Sequence, residues 1–124
     1  MPELRESSVA AHRKTVQSAI PQIAGFLEEA LGRGLVAYVA GVADPKAVGR
    51  WAAGKREPRK EAEERLRATF QLFQLLQAEE SPHTVRAWII GLNPQLEDES
   101  PATAIREGRM RDVMVAARSY VAGG

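Results

Sequence analysis

Apolar positions along this chain fall into helical spacings and nowhere into the alternation of a strand. Val9, Val16, Ile20, Ile23, Leu27 and Leu31 recur mainly at three- and four-residue steps, which predicts helix over most of residues 7–31. Pro21 lacks an N–H and crowds the preceding turn, so it should start a new helix or bend that one. Gly32 and Gly34 are expected to break the chain next. Leu35, Val36 and Val39 then form a short apolar helix face. Gly41 ends it, because glycine accepts the left-handed backbone of a helix terminus. After a tight turn, Asp44 offers an oxygen to free N–H groups, and Pro45 suits the first helical position. Val48, Trp51 and Ala52 stand at i, i+3 and i+4 and turn one stripe of this second helix inward. Lys46, Gly49, Arg50 and Ala53 fall on its other faces. Gly54 closes the helix, and Lys55, Arg56, Arg59 and Lys60 follow.

Residues 60–78 carry the clearest long helix. Leu66, Phe70, Phe73 and Leu76 make a continuous stripe, and Leu72 and Leu75 widen it. A face this wide needs cover on more than one side, so this helix is expected to join the two halves of the protein. Glu61, Glu63 and Glu64 at its start complement the helix dipole. Ser81-Pro82 opens another helix through Val85, Trp88, Ile89 and Leu92, which Asn93-Pro94 stops. Gln95 to Glu99 reads as an acidic loop. Ser100-Pro101 then caps a short helix through Ala104 and Ile105. Gly108 interrupts it, and Met110 to Val121 forms a last helix with Val113, Ala116, Ala117 and Tyr120 inward. The expected fold is all-α. A helical region over residues 1–60 holds the helix-turn-helix at 35–54, and a second helical region covers 61–124.

Composition narrows the function classes. The chain of 124 residues has no cysteine, which removes disulfides, thiolate metal sites and cysteine nucleophiles. Its beginning, MPELRESS, lacks the apolar core of a signal peptide, and no stretch approaches a membrane span in length. A cytoplasmic location is the default expectation. The net charge of +1 argues for nothing by itself, but its distribution does. Residues 33–60 hold seven basic groups against two acidic ones, while the segments on either side carry an acidic excess. Charge acts over about 10 Å at moderate salt, so a local patch matters more than the total. The two histidines, His12 and His83, lie far apart with no second ligand at metal spacing. The adjacent pairs Glu28-Glu29, Glu63-Glu64 and Glu79-Glu80 point about 100° apart on a helix and make poor acid–base dyads. Gly32-Arg33-Gly34 lacks the strand and further glycine of a phosphate loop. The reading is a non-enzyme with no cofactor and no metal.

A short helix with an apolar back, a basic outer side and a basic flank has the form of a major-groove reader. Ala37, Gly41, Val42, Val48, Arg50, Trp51 and Gly54 together resemble the helix-turn-helix of Xre-type regulators, with a turn lengthened by Ala43-Asp44-Pro45. The resemblance implies base contacts from Asp44, Lys46, Ala47 and Arg50. Arginine is the usual bidentate reader of guanine, and Lys46 can serve phosphate. Lys55, Arg56, Arg59 and Lys60 are the expected phosphate contacts. One motif of this size reads few base pairs, so a homodimer on palindromic double-stranded DNA is expected.

A second series lies downstream: Trp88, Asn93-Pro94, Leu96, Pro101, Ala102, Ile105, Gly108, Val113 and the pair Gly123-Gly124. Its order is similar to the C-terminal part of the Xre/MbcA/ParS toxin-binding antitoxins, with Trp88 as the expected anchor of a helical hairpin. This resemblance implies a RES-type toxin partner that consumes NAD, cover of that partner's active site, and binding to the operon's own promoter. Arg109, Arg111, Arg118, Tyr120, Gly123 and Gly124 are then the candidate partner contacts. A stand-alone Xre-family regulator with no cognate toxin remains an alternative, as does an adaptor without DNA binding.

Overall fold

The computed structural model describes residues 2–123, with the side chains of residues 2–7, Val16 and Gln17 outside that description. Eight helices follow one another: α1 (Pro2–Gln17), α2 (Ile20–Leu31), α3 (Arg33–Ala40), α4 (Lys46–Ala52), α5 (Lys60–Gln77), α6 (Pro82–Ile90), α7 (Pro101–Arg106) and α8 (Met110–Val121). A single 3₁₀ turn covers Pro94–Leu96. The fold is all-α, with no strand among the described residues.

Helix ends fall where local chemistry puts them. Ser18 and Ala19 separate α1 from α2, and Pro21 occupies the first turn of α2, where its missing N–H costs nothing. Gly32 ends α2 at φ 86°, but Gly34 lies inside α3 and breaks nothing. Ser81 caps α6 by accepting from the Thr84 amide at 3.2 Å, and Ser100 caps α7 by accepting from Thr103 at 3.0 Å. Helix α6 stops at Ile90, short of the expected Asn93, and leaves Leu92 exposed. The Gln95–Glu99 segment is more ordered than a solvated loop. Its Leu96 is fully buried, and Asn93 pairs with Glu99 across it.

Helix α5 forms the axis of the molecule. Leu66, Phe70, Leu72, Phe73, Leu75 and Leu76 are all buried, and α1, α2, α3, α6, α7 and α8 pack around them. Phe26 of α2 meets Phe70 and Phe73 edge-on at 5.3 Å each, an arrangement favoured by the ring quadrupole. One continuous apolar core therefore runs across residue 60. Three arginines donate to carbonyls at helix C-termini, where the backbone leaves acceptor capacity free. Arg67 of α5 donates to the Thr15 and Ser18 carbonyls at 2.9 and 3.0 Å. Arg65 donates to the Ile105 carbonyl, and Arg106 donates to the Tyr38 carbonyl while lying 4.7 Å above the Tyr38 ring. The expected stripe of residues 7–31 holds at Ile23, Leu27 and Leu31, which are buried. Val9 is exposed, and the Val16 side chain lies outside the described residues.

Candidate nucleic-acid interface

Two glycine-terminated helices, α3 and α4, carry the candidate residues. At the end of α3, Gly41 (φ 82°) donates to the carbonyls of Ala37 and Tyr38, and Val42 donates to Ala37. At the end of α4, Gly54 (φ 71°) donates to Trp51, and Lys55 donates to Arg50 at 2.9 Å. Both are Schellman closures, which need a residue in the left-handed region. Between them Asp44 Oδ1 accepts from the Lys46 amide at 3.0 Å, as its position before the helix suggests. Pro45 sits just before Lys46 in helical conformation (φ −59°, ψ −22°).

Ala47, Val48 and Trp51 bury the inner face of α4, mainly against α2. The approach is close because the facing residues are small. A Cβ placed on Gly25 of α2 would lie 4.0 Å from the Ala52 Cβ. Of the expected base contacts, Ala47 is therefore corrected. It is only 6% exposed and turned into the core, so its methyl group is not on offer to a ligand. Residues repeat every 3.6 positions, which leaves Lys46, Gly49, Arg50 and Ala53 outward. Lys46, Arg50 and Ala53 are exposed and Gly49 is half-buried.

The cover on Gly49 is Arg33. A Cβ built on Gly49 would stand 2.7 Å from Arg33 Nη2 and 3.0 Å from its Cζ, so the guanidinium lies against α4 where there is no side chain. Arg33 pairs with Glu28 of α2, and Arg50 Nη1 lies 3.9 Å from Asp44 Oδ2. Arg33 and Arg50 thus both present guanidinium groups at the outer side of α4. Sequence reasoning counted Arg33 in the basic segment but missed its placement, because nothing local says that α3 starts beside the middle of α4.

Lys55, Arg56 and Arg59 are exposed on the connection to α5, and Lys60 is exposed at the first position of α5. A cleft of about 390 Å³ opens between this connection, the turn and α5. Arg56, Arg59 and Arg65 alternate around it with Asp44, Glu57 and Glu61, over a floor that includes Trp51. Two of the four expected phosphate contacts therefore border this cleft as well as solvent.

The C-terminal candidates are differently placed. Arg109 is a hub. Its Nε donates to Asp112 Oδ2 at 3.1 Å, and its two Nη atoms lie 3.4 Å from Glu97 and 3.7 Å from Glu99. These carboxylates, Asp112 foremost, hold the guanidinium charged even more firmly than usual. Arg109 is thus paired within its own chain. Tyr120 is half-exposed and not inward. Its hydroxyl donates to Glu80 Oε1 at 3.1 Å, which raises its titration point above the ordinary phenol value. Trp88, expected as a buried anchor, is only partly covered and lies 5.9 Å from the Tyr120 ring. The deeply buried tryptophan is Trp51, at 2% exposure. Trp88, Tyr120, Leu92, Pro94 and Ala116 line a surface groove of about 410 Å³. Arg111, Arg118 and Gly123 are exposed on or beyond α8, and Gly124 lies outside the described residues. No helix among the described residues is long and apolar enough to cross a membrane.

No protein-family model, curated protein or solved structure matches this chain.

Proposed function

We propose that the chain is a sequence-specific double-stranded DNA-binding protein, the antitoxin of a type II toxin–antitoxin pair. It neutralises a RES-type, NAD-consuming toxin and represses its own operon as a homodimer. The observation that carries the DNA half is the outer face of α4. It is a short helix with its back on the core, Lys46 and Arg50 outward and Arg33 of α3 laid against it, followed by Lys55, Arg56 and Arg59 on an exposed connection and Lys60 at the start of α5. Lys46 and Arg50 read the groove, and Lys55, Arg56, Arg59 and Lys60 neutralise phosphates. The toxin half rests on the ordered resemblance of the C-terminal series. The groove at Trp88 and Tyr120 is an apolar surface such a partner can use.

A second reading, the stand-alone Xre-type regulator, is favoured by one specific observation. Arg109 and Tyr120 are already engaged by this chain's own carboxylates. The two readings divide on the neighbouring reading frame and on co-purification of its product after tandem expression. The DNA half is tested by anisotropy titration on the native promoter. Arg50→Ala should weaken specific binding by about 1–3 kcal/mol. Unchanged affinity removes Arg50 from the interface.

A further inference from the structure

We infer that Arg33 is a nucleic-acid contact and that Glu28 and Asp44 act as internal phosphate mimics, each holding an arginine of the α4 face until a real phosphate or base edge displaces it. This rests on the DNA-binding reading of α4 and concerns what that surface gives up before it binds. Three observations carry it. The Arg33 guanidinium lies over Gly49, on the outward side of α4, although the residue belongs to α3. Both arginines on the outer side of α4 have a carboxylate partner, Arg33 with Glu28 and Arg50 with Asp44 at 3.9 Å. All four side chains remain partly open to solvent, so an incoming anion can reach them.

A carboxylate and a phosphate present similar oxygens to a guanidinium, and a guanidinium engages either in the same forked way. Binding any duplex then requires exchange of Glu28 and Asp44 for nucleic-acid oxygens. Each exchange subtracts a little from every complex, specific or not. The subtraction is the same for promoter and random duplex, so it lowers affinity for both and leaves their ratio unchanged. Exposed ion pairs are weak, which keeps the exchange easy. Gly49 is part of the arrangement, because a side chain there would push Arg33 away from the helix surface.

The test uses the full chain and two labelled duplexes, one promoter and one random, titrated by anisotropy at low salt. Glu28→Gln removes the charge. Asp44→Asn removes the charge but keeps an oxygen for the Lys46 amide. Glu29→Gln, an exposed neighbour with no ion pair among the described residues, controls for net charge. The expected result is that Glu28→Gln and Asp44→Asn each tighten random-duplex binding roughly two- to fivefold, the range an exposed pair can supply. Promoter binding should tighten by a similar factor, because the same pairs are given up in either complex. In an Arg33→Ala background, Glu28→Gln should do no more than Glu29→Gln does, because the pair it breaks is gone. An equal gain from Glu29→Gln, or a Glu28→Gln gain that survives Arg33→Ala, overturns the inference while leaving DNA binding intact. Absence of salt-sensitive duplex binding by the unmodified chain overturns both.

Discussion

Two carboxyl groups meet at Glu99. The neighbouring Glu107 carboxyl, aided by partial burial, raises its titration point above the ordinary carboxylate value, with Arg109 opposing. One of its oxygens, Oε2, is buried without a hydrogen bond. Folded Glu99 thus holds a proton more tightly than unfolded Glu99. Its contribution to stability is full below the unfolded value and is lost as pH climbs through the raised folded value. Carbon-detected NMR titration should find Glu99 protonating at higher pH than in Glu107→Gln, where the competing charge is gone. Identical titration in both proteins contradicts that cause. Single residues also mark where sequence reading stops. Lys46, Arg50, Lys55, Arg56, Arg59 and Lys60 are exposed as expected, because charged side chains are rarely buried unpaired. Ala47 was ambiguous, since an alanine fits either face of a helix and only the packing against α2 decides.

At the scale of elements, helix boundaries were legible because their causes are local. Ser81-Pro82, Ser100-Pro101, Gly41, Gly54 and Gly108 each act through a few neighbouring atoms, and each marks a real terminus. What the sequence left open is how helices lie across one another. The seating of Arg33 on α4 and the half-exposure of Trp88 and Tyr120 depend on contacts distant along the chain. Gly34 misled for a related reason. A glycine interrupts a helix only when the surroundings do not compensate, and its neighbours Val36 and Ala37 are buried. Gly41→Ala should cost about 1–2 kcal/mol, the penalty of a Cβ in the left-handed region. The nearest side-chain atom, Arg65 Nη1, leaves room at 3.5 Å, so the cost comes from the backbone alone. Chemical denaturation would measure it, and a loss below a few tenths of a kcal/mol contradicts the assigned conformation.

For the whole molecule, the core is shared by the two sequence regions. Helix α5 begins at residue 60 and packs against α1, α2 and α3 of the first region and α6, α7 and α8 of the second. Arg65 and Arg106 add polar ties between these parts at the helix ends. The expectation that this helix joins the two halves followed from the width of its apolar stripe, which one neighbour alone cannot cover. A single cooperative thermal transition is predicted for the full chain. A fragment of residues 1–60 should show no such transition, because it exposes the faces that α5 covers. Calorimetry of both distinguishes this from two independently stable units, which would give two transitions or a folded fragment.

The claim on which the functional account rests is that the outer face of α4 lies against duplex DNA. The most direct measurement is an amide NMR map of the full chain as promoter duplex is added at low salt. The account predicts shifts concentrated at Arg33, Lys46, Gly49, Arg50, Ala53, Lys55 and Arg56, fading as salt is raised, with α8 silent. Shifts confined to α6–α8, or no shifts at any salt, would contradict it.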